Sequence, residues 1–255
     1  MSEGIFFIIL TTIIGLLVGS FLNVCIHRIP AGESIITPPS HCPYCGSRLK
    51  AADLFPVFSY ILLRGKCRYC NVSISPRYIL TEILTAALFI LVLLKFGVGM
   101  VLLKYLFVTA VLITVTFIDL QHFIIPNRVV LAGLVGGIFF IALTKEITLV
   151  NAFYGIISIS GFLLFLNLIS RGGMGMGDVK FGAFIGITLG WPLSLMALFL
   201  ACLSAGMIGI ILIITRQKSR KDPIPFGPFL SFGTFVSFMW GNKLQYLYLN
   251  FLTGI

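Results

Sequence analysis

The sequence predicts an all-α polytopic membrane protein of about eight transmembrane helices, with a small cytoplasmic loop domain between the first and second spans. Three observations predict it. Hydrophobic residues make up 58% of the 255 and charged residues only 10%, against about a quarter in soluble domains. Apolar runs long enough to cross a hydrocarbon core of roughly 30 Å recur along most of the chain. The basic residues gather in alternate intervening segments, the bias that orients membrane proteins.

The first run, 5–24, is preceded by Ser2 and Glu3 rather than a basic segment, and no small-x-small cleavage site follows it. It therefore reads as a retained span and not a signal peptide. Further spans read as 78–94, 101–118, 129–144 and 147–169. The 35 uncharged residues from 181 to 215 are too many for one crossing at about 1.5 Å per residue. Two spans are expected there, broken at Gly190-Trp191-Pro192, with Trp191 an interfacial anchor. The last span lies near 223–241. The expected domains are thus a first helix (1–25), a loop domain (26–77), a membrane core (78–243) and an interfacial tail (244–255).

Placing 26–77 in the cytoplasm puts 119–128, 170–180 and 216–222 there too, with 14 of the 18 Lys and Arg residues. Lys95, Lys104, Lys145 and Lys243 remain outside, as does the N-terminus. The net charge of +10 then reflects orientation and attraction to an anionic lipid bilayer, and no basic-aromatic surface points to nucleic acid.

The loop 26–77 carries Cys42-Pro43-Tyr44-Cys45 and Cys67-Arg68-Tyr69-Cys70, with 21 residues between the pairs. This is one residue beyond the usual window for paired zinc knuckles. Four thiolates suit a closed, tetrahedral structural zinc site, and Gly46 lets the turn after Cys45 wrap a metal. A cytoplasmic loop keeps its thiols reduced, which favours metal over disulfides. Redox-active CxxC pairs are the alternative. Cys25 and Cys202, alone in apolar surroundings, read as packing residues.

Two aspartates stand where this chain least tolerates acids. Only 8 residues are acidic, and an ionisable group at a membrane span is a functional-site hypothesis by default. Asp119 closes a span in Phe117-Ile118-Asp119-Leu120-Gln121-His122. Asp178 follows Gly173-Met174-Gly175-Met176-Gly177. Alone, Asp119 reads equally as an interfacial anchor and Asp178 as a helix cap. Two spans separate them, so both fall on one face and can meet. A carboxylate dyad sharing one proton activates water for peptide hydrolysis without a covalent intermediate. Pro126 restrains Ile125 to an extended conformation, and Gly175 and Gly177 permit close backbone approach beside the acid. Glu82, early in the second span, is open to three readings: protonated packing, pairing with Arg77, or substrate contact, and a supporting polar role fits best. Lys180 reads as a snorkelling anchor or a holder of the loop.

With these residues in order, the chain resembles the type IV prepilin peptidases, polytopic aspartic proteases of the GxGD class. The resemblance runs from Gly19-Ser20-Phe21-Leu22-Asn23-Val24 with His27-Arg28 and Pro30, through both CxxC pairs and Ser75-Pro76-Arg77-Tyr78 with Glu82. It continues through Asp119 with Ile125-Pro126 and Gly175-Met176-Gly177-Asp178-Val179-Lys180 to Pro225-Phe226-Gly227-Pro228-Phe229. It implies that Asp119 and Asp178 are catalytic. It also implies that prepilins or pseudopilins are cut after a glycine at the cytoplasmic face of the bacterial inner membrane. Because the long loop and both CxxC pairs are present, it further implies N-methylation of the new N-terminal residue with S-adenosylmethionine. Asn127 departs from the aspartate that many members carry after Ile-Pro. An ion- or proton-coupled transporter using Asp119 and Asp178 is the competing reading. A thiol oxidoreductase and a zinc-stabilised structural subunit are two others.

Overall fold

The structure, a computed structural model, describes residues 2–170, 173–219 and 222–253. Arg171, Arg220 and Lys221, counted above among the cytoplasmic bases, lie outside the described residues, as does the end of the tail, 254–255. Among the described residues the chain forms ten α-helices and no strand: α1 (Ser2–Arg28), α2 (Phe58–Leu62), α3 (Arg77–Phe96), α4 (Met100–His122), α5 (Asn127–Thr144), α6 (Leu149–Ile156), α7 (Phe162–Ile169), α8 (Met176–Leu189), α9 (Leu193–Ile214) and α10 (Gly227–Thr253). A π-helical turn, Ile157–Gly161, joins α6 to α7. Helices are the expected outcome, since a lipid-facing backbone must bond within its own segment.

Six stretches among the described residues are long and apolar enough to cross a membrane: α1 from Gly4, α3, α4, α5, α6 through α7 (Leu149–Ile169), and α9. This count is lower than the eight expected. The absence of charge between 181 and 215 reads as two spans, but α8 has only 14 residues and rises about 21 Å, short of a roughly 30 Å core. Glycines, serines, Asn242 and Lys243 dilute the apolarity of α10, which continues through most of the segment read as a tail.

The chain divides into two compact units, Met1–Thr114 and Val115–Ile255. In the first, α1 packs on α3 almost backbone to backbone. A Cβ on Gly15 would stand 2.6 Å from Ala86 Cα, and one on Gly19 would stand 2.7 Å from Glu82 Cα. Asn23 Nδ2 donates to the Tyr78 carbonyl across the same pair of helices (3.0 Å).

In the second unit α8 is the central element. Val179, Phe181, Gly182 and every residue from Phe184 to Leu189 are buried, with α5, α6, α7 and α10 packed around them. Its closest partner is α6. A Cβ on Gly155 would stand 2.5 Å from the Gly186 carbonyl oxygen, and one on Gly186 would stand 2.5 Å from the Ile156 nitrogen. Gly155→Ala is therefore expected to force these helices apart and to destabilise the protein by about 2 kcal/mol. Thermal unfolding in detergent, with Gly161→Ala as the uncrowded control, measures it.

Candidate active site

Asp119 lies one turn before the end of α4 and is only 5% exposed. Its Oδ2 accepts a hydrogen bond from the backbone amide of Gly227, the first residue of α10 (2.8 Å). Only glycine allows this approach, because a Cβ at 227 would itself stand 2.8 Å from Oδ2. Phe123, with φ 55°, ends the helix, and its amide bonds back to the Asp119 carbonyl (2.9 Å). The chain then leaves the helix through Ile124 and Ile125 to Pro126, which sits at φ −67° and ψ 133° and opens α5.

Asp178 is the third residue of α8, after the extended N-cap Gly175. A carboxylate at this position reaches back toward the N-cap amide, and a Cβ on Gly175 would stand 3.2 Å from Asp178 Oδ2. Gly177 faces the segment after α4, where a Cβ would stand 3.0 Å from Ile125 Cβ and 3.4 Å from its carbonyl oxygen. The two carboxyl groups lie close enough for the charge of Asp119 to act on Asp178. Each of the glycines 175, 177 and 227 makes room for one backbone or carboxylate contact near these acids.

Lys180 Nζ donates to Asn127 Oδ1 (2.9 Å), so it ties the start of α8 to the start of α5 through the residue that departs from the family pattern. Next to this bond is an apolar cleft of about 380 Å³ lined by Asn127, Arg128, Val130, Leu131, Leu134, Lys180 and Ala183.

Glu82 belongs to the first unit. Its Oε2 accepts the Val57 amide (2.8 Å). Val57 has φ 62° and ψ −52°, and the Phe58 amide closes a tight turn onto the Pro56 carbonyl (2.6 Å). A β-branched residue at positive φ is strained, and Glu82 holds it there.

The four thiols of the loop converge. The Sγ atoms of Cys42, Cys45, Cys67 and Cys70 all lie within 4.8 Å of one another, with Cys42 and Cys70 3.8 Å apart. Tetrahedral Zn–S bonds of about 2.3 Å separate the sulfurs by about 3.8 Å, so the residues fit zinc. Each knuckle is a short turn closed by an antiparallel bridge, His41 with Arg48 and Lys66 with Ser73. Gly46 and Asn71, each following its second cysteine, take the same left-handed conformation at φ 68° and 57°. Hydrogen bonds from Ser47 lower the Cys45 thiol to about 6. Asp53 joins the second knuckle to the rest of the loop by accepting from Arg68 Nε (2.6 Å) and the Tyr69 hydroxyl (3.2 Å). Desolvation opposes its ionisation, but the Lys50 amide together with Arg68 and Tyr69 holds the carboxyl below its ordinary range.

The sequence reading gave no role to three contributors. Gly227, quoted there only within 225–229, acts through its amide, and Val57 acts through a strained turn that no residue type announces. Asn71 was recognisable, since asparagine is enriched at positive φ.

Residues 13–96 match the Bacterial Peptidase A24 N-terminal domain and residues 106–210 match the Type IV leader peptidase family. A prepilin leader peptidase/N-methyltransferase of Aeromonas hydrophila is 35% identical over 95% of this chain and 94% of that protein. The chain belongs to the type IV leader peptidase family. Other similar proteins of the same printed name come from Pseudomonas aeruginosa, 32% identical over 98% of this chain and 96% of its own length, and from Bacillus subtilis, 32% identical over 95% and 98%. No solved structure is matched. The Type IV leader peptidase match contains Asp119 and Asp178, and the A24 N-terminal match contains all four cysteines and Glu82. Nothing in these matches supports the transporter reading.

Two outcomes are expected. Gly227→Ala should cut leader peptidase turnover by about a hundredfold while the protein stays folded, because the added methyl displaces the Asp119 carboxylate. Purified protein should carry about one zinc per chain by elemental analysis, lost in Cys42→Ser and Cys67→Ser together with protease resistance of the loop.

Proposed function

We propose that the chain is an aspartic endopeptidase of the bacterial inner membrane. It removes the leader from type IV prepilins or pseudopilins after a glycine, then N-methylates the new N-terminal residue. The observation that carries this reading is that Asp119 and Asp178, within electrostatic range of each other, both lie inside the segment matched to the leader peptidase family. The names of the relatives support both activities.

The reaction follows from the pair. One carboxylate takes a proton from water as that water attacks the scissile carbonyl carbon, and the partner carboxyl donates its proton to the carbonyl oxygen. The tetrahedral intermediate then collapses as a proton passes to the leaving amine. Oδ2 of Asp119 is occupied by the Gly227 amide, so its other oxygen is the one left for water or for the partner carboxyl. The apolar cleft between α5 and α8 would take the substrate's hydrophobic segment.

The cysteines, Cys42, Cys45, Cys67 and Cys70, would hold a structural zinc that folds the loop. S-adenosylmethionine would be the methyl donor, as a second substrate with no residue assigned to it.

In this reading α8 and α10 also lie within the bilayer, which restores eight membrane elements. The N-terminus is outside, and the loop and the dyad are at the cytoplasmic face, because most of the basic residues are then cytoplasmic. The test is leader release from a prepilin with a Gly-Phe junction, using purified wild type, Asp119→Asn and Asp178→Asn. Wild type should cut, and each variant should lose at least about a thousandfold in rate. Normal cutting by a folded variant would remove that aspartate from the mechanism.

A further inference from the structure

The helix that faces α8 keeps an unusual register. Its contacts run antiparallel to α8. The Trp191 amide donates to Asn151 Oδ1 (2.6 Å), and Gly155 interlocks with Gly186. Ser160 Oγ donates to the Val179 carbonyl. Leu163 Cδ1 lies where a Cβ on Gly182 would meet it at 3.1 Å, and Asn167 Nδ2 donates to the Met174 carbonyl. Ile159 Cγ1 also lies 3.5 Å from a Cβ on Gly182, so the α8-facing positions are 151, 155, 159, 160, 163 and 167. Steps of four through 159 suit an α-helix, but the placement of Ser160, five residues after Gly155, does not. Five α-helical residues turn by about 500°, which would leave Ser160 about 140° away from the face of Gly155. The π-helical turn Ile157–Gly161, with its wider i→i+5 bonding, occupies that step and brings Ser160 onto α8.

The two side-chain donors on this face do not bond at random. Met174 lies four residues before Asp178, immediately ahead of the N-cap, and Val179 follows it. Ser160 and Asn167 thus hold the carbonyls on either side of the aspartate, on a helix start that glycines 173, 175 and 177 otherwise leave loosely determined.

We propose that Ser160, brought into register by the π-turn, and Asn167 are positioning residues for Asp178 in peptide hydrolysis. Both donors are spent on main-chain carbonyls. They fix the depth and rotation of the first turn of α8, and so set where the Asp178 carboxyl stands relative to Asp119. The inference rests on the peptidase reading given above. Misplacement of a catalytic group by about 1 Å can cost a hundredfold in rate, and substrate affinity, which comes from other surfaces, should stay as it was.

The experiment measures kcat and KM for leader release by wild type, Ser160→Ala, Ser160→Thr, Asn167→Asp and the Ser160→Ala/Asn167→Asp double variant. Thermal unfolding and monodispersity are followed alongside. Asn167→Asp keeps the shape and removes the donor, and Ser160→Thr keeps the hydroxyl. The expected result is a kcat lowered about tenfold in each donor-removing variant and further in the double variant. KM should stay within about twofold, and Ser160→Thr should lie near wild type. Deletion of Ile157 shortens the step from Gly155 to Ser160 to four residues, which an uninterrupted helix keeps on α8, so cleavage should survive it, and its loss in a folded protein overturns the role given to the π-turn. A folded double variant with wild-type kcat overturns the proposal. A raised KM with unchanged kcat overturns it too, by assigning these residues to substrate binding. If Asn167→Asp does not fold, the contrast between Ser160→Ala and Ser160→Thr decides alone. Failure of wild type to cut any prepilin counts against the peptidase reading, whereas failure of the variants to differ from an active wild type counts against this one.

Discussion

A carboxylate at the end of a membrane helix needs hydrogen-bond donors that do not bring more charge with them, and here a backbone amide supplies one. The Gly227 N–H meets Asp119 because residue 227 has no side chain, and the same economy of atoms recurs around Asp178 with Gly175 and Gly177. In water such groups would be solvated freely. Next to lipid, each unsatisfied polar atom costs several kcal/mol, so the donors must be built into the fold. Much of the second unit follows from this. α10 must begin where α4 ends, the segment after α4 must run past Gly177, and α8 must sit in the middle with its first turn held.

Burying α8 so completely has its own requirement. A helix surrounded by four others can sit close to them only where side chains shrink, and Gly133, Gly137, Gly155 and Gly186 mark those places. In lipid, close backbone approach of this kind is a main source of helix association, since the apolar effect gives little preference for helix over lipid. The first unit uses the same device at Gly15 and Gly19, although its purpose there is to bring Glu82 beside α1.

Much of this was legible in the sequence, for reasons that differ by residue. Asp119 and Asp178 stood out because acids are rare in apolar sequence, and an even number of intervening spans allowed them to meet. The four cysteines were readable from their spacing alone. The membrane helices were readable as to existence but not as to number. Counting uncharged residues treats glycine and serine as if they were leucine, and it placed two full crossings where α8 is only 14 residues long. The π-turn left no trace in residue type, because Ile-Ser-Ile-Ser-Gly is compatible with an ordinary helix, and its reason is tertiary. The Gly227 contact joins residues 108 apart through an atom that every residue except proline possesses, so nothing local could announce it. Lys180 was legible as a possible holder of the loop, and its partner proved to be Asn127.

The strained turn at Val57 bears on what the loop 26–77 is as a physical object. Two of its features have different owners. The cysteine cage is self-contained, with all four thiols inside the loop, whereas the acceptor for the Val57 amide belongs to α3. Cut away as a soluble fragment, the loop would retain its cage and let Val57 relax to negative φ, and α2, which begins at the next residue, would swing to a new direction. The loop is therefore only half a domain. Its fold near the four cysteines is written in its own residues, and its fold near the bilayer is lent to it by a membrane helix.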